Sequence, residues 1–170
     1  MAETTFRLRV WTRYFESVAA VWAHKSAPER LAEDLRPWLR LRFAAEDERT
    51  LHAALLAGEP ARAVGRLVPP GVAWPVDLVR AEPPLFFEDH SDNVLFSRFE
   101  HRHILEEAPD GCRYVDDVIF MPRGPSTKLS AIALKWVFIH RHRVAARRLR
   151  PDVRTVGTAV LRVLIEEDED

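Results

Sequence analysis

The sequence predicts an α+β protein in which an antiparallel sheet of seven strands is followed by one long helix. Seven short runs are rich in β-branched and aromatic residues, and most of them alternate apolar with polar side chains. Short turns separate several of these runs, and such connections favour antiparallel neighbours because parallel strands need longer crossovers. After the last run, apolar residues recur every three or four positions over residues 125–150, which is typical of a helix that buries one face.

The first elements are a strand and two short helices. Thr5 to Arg13 alternates apolar residues with arginine, the pattern of a half-buried strand. Ser17 is a suitable N-cap for the first helix, and Pro28 can open the second, which Pro37 terminates. Residues 47–57 are predicted as a short helix or an extended loop. The other strands are predicted at residues 39–43, 61–68, 73–81, 85–90, 94–106 and 112–121.

The long helix predicted at residues 125–150 carries an apolar stripe, which we expect to be its buried face. The stripe consists of Leu129, Ile132, Ala133, Trp136, Val137, Ile139 and Val144. His140 falls near the centre of this stripe, at a position where another aliphatic residue would be expected. The helix is long enough to cross a small sheet.

Two units are predicted, a domain over residues 1–150 and a C-terminal extension over residues 151–170. Pro151 marks the break between them. Val153, Val156, Val160 and Leu164 recur every three or four positions, opposite Arg154, Thr158, Arg162 and Glu166, and this spacing favours a short amphipathic helix. The acidic run at residues 166–170 is expected to be a solvated tail. The extension could pack on the domain or offer residues 151–165 to a protein partner.

Composition argues against several classes of function. The formal net charge is −1, so the chain has no overall basic field with which to attract nucleic acid. Cys112 is the only cysteine, which excludes an internal disulfide. The sequence contains no signal-peptide core and no run of about 18 apolar residues, so we expect a cytoplasmic protein without membrane insertion.

Two histidines are the main candidates for a functional group. His101 and His103 are two residues apart on a predicted strand, so their side chains project from the same face as Phe99. A turn centred on the following Pro-Asp pair places His103 opposite Asp116, whereas a glycine bulge would bring in Asp117 instead. In either register a carboxylate lies near an inward-facing histidine.

Three interpretations of this histidine–aspartate pairing remain open: mutual satisfaction of buried polar groups, orientation of a ligand, or acid–base catalysis. The two histidines could also share a metal ion, with His140 or Asp116 as a third ligand. No further ligand motif supports that option, so we predict neither a metal nor a cofactor. We assign no catalytic residue.

The order of several segments resembles a known superfamily. The segments are FRLRVWTR, the paired-helix region SVAAVWAHKSAPERLAEDLRPWLRLRF, WPVDLVRAEPPLFFEDH, FEHRHILEEAPDGCRYVDDVIFMP and LKWVFIHRHRVAARRL. Together they resemble the START-like, or SRPBCC, superfamily with the Bet v 1-like helix-grip fold. The likeness is to bacterial members that are uncharacterised or polyketide cyclase-like.

The resemblance implies a curved seven-stranded antiparallel sheet wrapped around the C-terminal helix, with a hydrophobic cavity between them. We expect that cavity to measure about 300–1,000 Å³. The residues expected to line it are Phe99, His101, His103, Asp116, Trp136 and His140. The predicted function is binding of a hydrophobic or amphipathic small molecule. An enzyme of the cyclase, aromatase or dehydratase type and a protein-interaction module are the alternatives.

Overall fold

The computed structural model describes residues 4–69, 71–124, 127–150 and 158–164. Within them the chain forms four helices and one antiparallel sheet of eight strands, which confirms the predicted α+β class. In chain order the elements are β1 (Thr5–Tyr14), α1 (Val18–Lys25), α2 (Pro28–Asp34), β2 (Arg40–Phe43), α3 (Ala45–Ala57), β3 (Ala61–Val68), β4 (Val72–Glu82), β5 (Phe86–His90), β6 (Phe96–Ala108), β7 (Gly111–Pro122), α4 (Thr127–Leu149) and β8 (Thr158–Leu164).

The sheet has the order β2-β3-β4-β5-β6-β7-β1-β8 and wraps around α4, which contacts β1, β7 and β8. Consecutive strands from β2 to β7 are neighbours, so this part is the predicted meander. The first strand then pairs with β7 and brings the N-terminus beside the last hairpin. None of the described helices has the length and hydropathy needed to cross a lipid bilayer.

The short helices begin and end at residues that the sequence marks. The Ser17 side chain accepts a hydrogen bond from the backbone N–H of Ala20 and so caps α1. Pro28 occupies the first turn of α2, where its missing N–H has no cost. Residues Ala45–Ala57 form a helix rather than an extended loop, and Gly58 ends it in a left-handed conformation with φ of 75°.

A tight turn joins β6 to β7 and fixes their register. Ala108 pairs with Gly111, so Pro109 and Asp110 are the two turn residues, as predicted. Gly111 has φ of 136°, which residues with a Cβ atom rarely adopt. A Cβ atom at this position would also overlap the carbonyl oxygen of Tyr14 and lie 2.8 Å from the Cα atom of Phe15.

The C-terminal extension differs from its prediction. Thr158–Leu164 is a strand, β8, and the amphipathic helix predicted here is wrong over these residues. This strand pairs antiparallel with β1, with Leu164 opposite Thr5 and Thr158 opposite Trp11. It is also the eighth strand that the prediction of seven omitted. The remainder of the extension, including the predicted acidic tail, lies outside the described residues.

The buried face of α4 is also different from the predicted stripe. Leu129, Ile132 and Trp136 were expected to face inward, yet they are 69%, 48% and 52% exposed. The buried residues of this helix are Ala131, Phe138, Ile139, Arg141, His142, Ala145 and Ala146. Two of these seven, Arg141 and His142, are strongly polar. A pattern based on apolar residues alone therefore predicts the wrong buried face for most of the helix.

The interior consists of two apolar clusters. One is built around Tyr14, Trp22, Phe87, Leu105 and Tyr114, and the other around Phe6, Phe99, Val118, Phe120 and Phe138. Between them, at successive inward positions of the same strands and helix, lies a set of polar side chains that we call the polar band. It comprises Thr12, Asp89, His101, His103, Asp116, Arg141 and His142.

Candidate functional site

A cavity of about 410 Å³ lies between the sheet and the helices, within the predicted size range. Its wall is largely apolar and is formed from β-strands, α2, α3 and α4. The apolar wall includes Leu31, Leu55, Leu67, Trp74, Val76, Leu78, Phe87, Phe96, Leu134 and Phe138. Its polar residues include Lys25, Ser26, Asp89, His101, His103 and Arg141. The cavity therefore has an apolar body and touches the polar band.

The six predicted lining residues fall into two groups. Phe99, His101 and His103 line the cavity, and the fully buried Asp116 lies behind the two histidines within hydrogen-bonding distance. The other two, on α4, do not line it, and that part of the prediction is wrong.

Trp136 and His140 lie elsewhere because the helix is rotated relative to the predicted phase. Trp136 is 52% exposed. The His140 ring stacks on Trp38 with 4.3 Å between ring centroids, and its Nε2 contacts the backbone carbonyl of Arg36. These contacts tie α4 to the segment after α2. The cavity is lined from this helix by Ser130, Ala133, Leu134, Val137, Phe138 and Arg141, and His142 belongs to the polar band behind it.

Asp116 is the centre of the polar band. One carboxylate oxygen, Oδ1, lies 3.0 Å from His101 Nε2 and also accepts the Tyr114 hydroxyl proton. The other, Oδ2, lies 2.9 Å from His142 Nε2 and 3.8 Å from a terminal nitrogen of Arg141. A buried carboxylate needs such a shell, because each donor that it lacks costs about 1–3 kcal/mol.

His103 lies directly opposite Asp116 in the β6–β7 pairing, as the predicted turn requires. Its nearest carboxylate, however, is on β5: Nε2 lies 3.0 Å from Asp89 Oδ2. Its Nδ1 lies 2.6 Å from the hydroxyl oxygen of Tyr114, and its ring stacks on Phe87 with 3.7 Å between centroids. Both ring nitrogens are thus engaged, and the imidazole is held in one orientation.

The alternative partner, Asp117, faces away from this site. Its carboxylate binds Arg7 through two hydrogen bonds of 2.9 and 2.7 Å and lies 3.4 Å from Arg9. The register that would have brought Asp117 beside the histidines does not occur.

Burial and the neighbouring charges set the protonation states of the polar band. Burial would raise the pKa of Asp116, but Arg141 and the hydrogen bonds from His101 and His142 hold it well below its ordinary value. Burial lowers the pKa of His103 to about 3, with His101 contributing and Asp89 opposing. Burial likewise lowers the pKa of His142, although Asp116 opposes the shift. At neutral pH Asp116 is therefore ionised, and His103 and His142 are neutral.

A second buried charge group lies where α1 approaches the cavity. Lys25 is 3.4 Å from Asp34 Oδ2, and His24 Nε2 is 3.0 Å from the same oxygen. Lys25 also lies over the Tyr114 ring, 4.7 Å from its centroid. Burial lowers the pKa of Lys25, with Asp34 opposing this effect.

Two buried polar atoms on the cavity wall have no hydrogen-bond partner among the residues that the structure describes. They are the Ser26 hydroxyl and the Nε of Arg141. Because an unsatisfied buried donor is costly, such atoms mark positions where a bound molecule could supply an acceptor.

The structure also brings together a group with metal-ligand chemistry. Asp89, His101 and His103 each offer a ligand atom, and these atoms lie within 4.8 Å of one another. From the sequence, His140 or Asp116 was the third ligand considered for the two histidines. Asp89, on the neighbouring strand β5, occupies that place instead.

Sequence reasoning missed five residues of this region: Lys25, Asp89, Tyr114, Arg141 and His142. Strand alternation could have found two of them, since Tyr114 shares a face with Asp116 and Asp89 shares a face with Phe87. Arg141 and His142 are polar residues outside the apolar stripe that was predicted to be the buried face of the helix. No local signal indicates that Lys25 is buried.

A protein-family model described as "Domain of unknown function (DUF8410)" matches residues 15–149 of this chain. These residues include the cavity and the whole polar band except Thr12. Among curated proteins, none matches this sequence.

The fold is similar to that of several solved bacterial structures. Protein TTHA0849 from Thermus thermophilus has a TM-score of 0.62 and 15% identity, and the match covers 88% of this chain and 99% of that one. Protein CV1439 from Chromobacterium violaceum has a TM-score of 0.62 and 14% identity, covering 86% and 98%. Protein MLL2253 from Mesorhizobium loti has a TM-score of 0.61 and 12% identity, covering 87% and 99%. At these identities the likeness shows a shared helix-grip-like fold alone.

Proposed function

Because this chain belongs to the DUF8410 family, whose function is unknown, we propose a function from the cavity itself. The protein binds a hydrophobic or amphipathic small molecule between the sheet and α4. The START-like, or SRPBCC, resemblance of the sequence is part of the same proposal, since that superfamily is built around such a cavity.

The observation that carries the proposal is the size and chemistry of the cavity. Its volume of about 410 Å³ falls in the range of small-molecule sites, and most of its wall is leucine, valine and aromatic surface. An apolar molecule that enters this space would remove its own surface and the surface of the wall from water, which is favourable.

The polar wall favours an amphipathic ligand with a hydrogen-bond acceptor at one end. Ser26 and Arg141 present buried donors that have no partner in the described part of the chain. Lys25 lies on the same wall, with a single carboxylate contact at 3.4 Å. A carboxylate, carbonyl or phenolic oxygen of a ligand would satisfy a donor that it reaches on this wall, while an apolar body would fill the remainder.

Native mass spectrometry of freshly purified protein tests the proposal by searching for a co-purified small molecule. Binding of an environment-sensitive apolar dye measures the cavity independently of the natural ligand. Ala133→Trp places a large ring at an exposed position on the cavity wall, and it should weaken dye binding. The neighbouring substitution Ile132→Trp is the matched control, because Ile132 is 48% exposed and does not line the cavity.

The ligand proposal fails if the protein carries no small molecule and binds the dye no better than the Ala133→Trp variant does. An equal loss in both variants would also contradict it, because the effect would then come from the helix and not from the cavity.

An enzyme of the cyclase, aromatase or dehydratase type is the second candidate. His101 and His103 line the cavity and contact Tyr114 and Asp116 behind them. This arrangement favours an enzyme, because a neutral histidine beside a hydroxyl can accept and return a proton. Incubation with the co-purified molecule separates the two. Recovery of the molecule unchanged supports binding, and its conversion to a product supports catalysis.

A further inference from the structure

The histidine pair and Asp89 have the geometry of a metal-binding triad. In the β5–β6 pairing Asp89 lies directly opposite His101, and the next inward residue of β6 is His103. Asp89 Oδ2 is 3.7 Å from His101 Nδ1 and 3.0 Å from His103 Nε2. Ligand atoms about 2.0–2.1 Å from a tetrahedral metal ion lie about 3.4 Å from one another, so an ion fits with small side-chain adjustments.

The opposite nitrogen of each histidine is held by a second group. His101 Nε2 is 3.0 Å from Asp116 Oδ1, and His103 Nδ1 is 2.6 Å from the Tyr114 hydroxyl. Metal-binding histidines commonly have this arrangement, in which the distal N–H is donated to a carboxylate or another acceptor while the other nitrogen binds the ion. Here the other nitrogen of each ring, His101 Nδ1 and His103 Nε2, faces Asp89.

The polar side chains behind the triad form a connected chain. Four contacts at hydrogen-bond distance connect Asp89 to His103, His103 to Tyr114, Tyr114 to Asp116, and Asp116 to His101. These contacts hold both imidazole rings in fixed orientations, which is the support that metal-binding histidines commonly have.

A bound ion would replace the contact between Asp89 and His103. The contacts of His101 with Asp116 and of His103 with Tyr114 would remain, because they use the opposite nitrogen of each ring.

The charges around Asp89 also favour a bound cation at this site. Lys25 lies 3.4 Å from Asp34, and Arg141 lies 3.8 Å from Asp116, so each of these buried carboxylates has a cationic partner. For Asp89, the ion-pair partners within 4.0 Å in the described part of the chain are the two histidines. Its side chain is 13% exposed, so water provides little compensation.

We propose that Asp89, His101 and His103 bind a first-row divalent transition-metal ion on the wall of the cavity. Two histidines and one carboxylate with open positions form a donor set that suits Zn²⁺ and Fe²⁺ and is poorly matched to Mg²⁺, which prefers oxygen ligands. All three side chains line the cavity, so the open positions face the space where a small molecule would bind. The metal site is independent of the ligand proposal, because it can be tested with the ion alone.

The test uses the full chain without an affinity tag, dialysed against a chelator and then titrated with Zn²⁺ by calorimetry. We expect one ion per chain, and we expect Co²⁺ to give visible absorption bands that Zn²⁺ abolishes. A tenfold excess of Mg²⁺ should not compete. Asp89→Asn and His103→Gln should each weaken Zn²⁺ binding more than about 10-fold, and Tyr114→Phe should weaken it about 10–100-fold.

Glu88→Gln is the matched control for Asp89→Asn, because it removes a neighbouring carboxylate that faces His90 and Arg102 instead. It should bind Zn²⁺ as wild type does. Wild-type protein that binds no stoichiometric Zn²⁺ would overturn the proposal even if the variants fold poorly. Zn²⁺ binding that persists unchanged in both Asp89→Asn and His103→Gln would also overturn it, because the ion would then occupy surface histidines.

Discussion

His142 on α4 and Asp116 on β7 join the long helix to the sheet through one buried hydrogen bond of 2.9 Å. The other nitrogen of His142, Nδ1, lies 2.9 Å from the hydroxyl oxygen of Thr12 on β1. The imidazole is neutral, so it donates through Nε2 to the carboxylate and accepts the threonine proton at Nδ1. A single ring thus connects three elements in the centre of the protein.

Removing this connection should destabilise the fold. We expect Thr12→Val to cost about 1 kcal/mol, and His142→Phe to cost about 1–3 kcal/mol because one oxygen of Asp116 loses a donor. In the His142→Phe background, Thr12→Val should cost little more, since its partner is already gone. Urea unfolding of the four proteins measures these values. Strict additivity of the two substitutions would show that the contact does not contribute.

The contacts of His103 with Asp89 and Tyr114 predict a second effect on stability. His103→Gln should lose about 1–3 kcal/mol in the chelator-treated protein, because Asp89 and Tyr114 are left poorly paired. His90→Gln is the control: His90 also contacts a carboxylate, Glu88, but its side chain is 40% exposed. That substitution should change stability by less than about 0.5 kcal/mol. A His103→Gln variant as stable as wild type would contradict the structural interpretation.

The buried, neutral state of His142 predicts acid sensitivity. Burial lowers the pKa of His142 in the folded protein, whereas its pKa in the unfolded chain is about 6.5. Below that pH the unfolded state binds a proton at this histidine and the folded state does not. Protonation therefore favours unfolding, and the free energy of unfolding decreases as the pH falls. The loss is at most about 1.4 kcal/mol per pH unit for one group.

Urea unfolding of wild type and His142→Gln between about pH 7.5 and pH 4.5 measures this contribution, since glutamine cannot titrate. The stability difference between the two proteins should change steadily below about pH 6.5, with wild type losing more. Parallel curves over the whole range would contradict the assignment of His142 as a buried neutral histidine.

Gly111 should be intolerant of any side chain. Gly111→Ala combines an unfavourable φ of 136° with overlap against the Tyr14 carbonyl. Gly124→Ala is the matched control, because Gly124 has φ of 94° but no atom within 4 Å of the added Cβ. We expect the control to cost about 1–2 kcal/mol from backbone strain alone and Gly111→Ala to cost clearly more. Thermal or urea unfolding would measure both, and equal losses would show that the close contact with β1 relaxes freely.

Seven of the eight described strands, and the antiparallel meander from β2 to β7, could be predicted from the sequence, because alternation and turn residues are local signals. The position of β1 beside β7 depends on long-range pairing and was not predicted. The β6–β7 turn even gave the correct register, with His103 opposite Asp116. The strand β8 was missed for a physical reason. Val160 and Val163 are 36% and 51% exposed, so apolar residues occupy the exposed side of this edge strand as well, and its sequence does not alternate apolar with polar residues. What makes it a strand is its pairing with β1, which no local pattern reveals.

The candidate site was only partly predictable because its residues break the usual rules of burial. Arg141 and His142 occupy inward positions of α4, while Leu129 and Trp136 are exposed. A periodicity that counts only apolar residues rotates such a helix away from its true orientation. The inward positions of His101 and His103 were found because they occupy alternate positions on a strand that also carries Phe99.

The polar band between the two apolar clusters determines where α4 can dock. Apolar surfaces are weakly selective, and a helix could slide by one turn, about 5.4 Å, along a uniformly apolar sheet with little loss of buried area. Here such a shift would carry Arg141 and His142 into one of the apolar clusters and leave the buried Asp116 without them. Misdocked arrangements are therefore penalised by several unpaired buried groups at once. The same side chains that border the cavity thus also determine the register of α4 on the sheet. That register in turn sets the shape of the space that a ligand would enter.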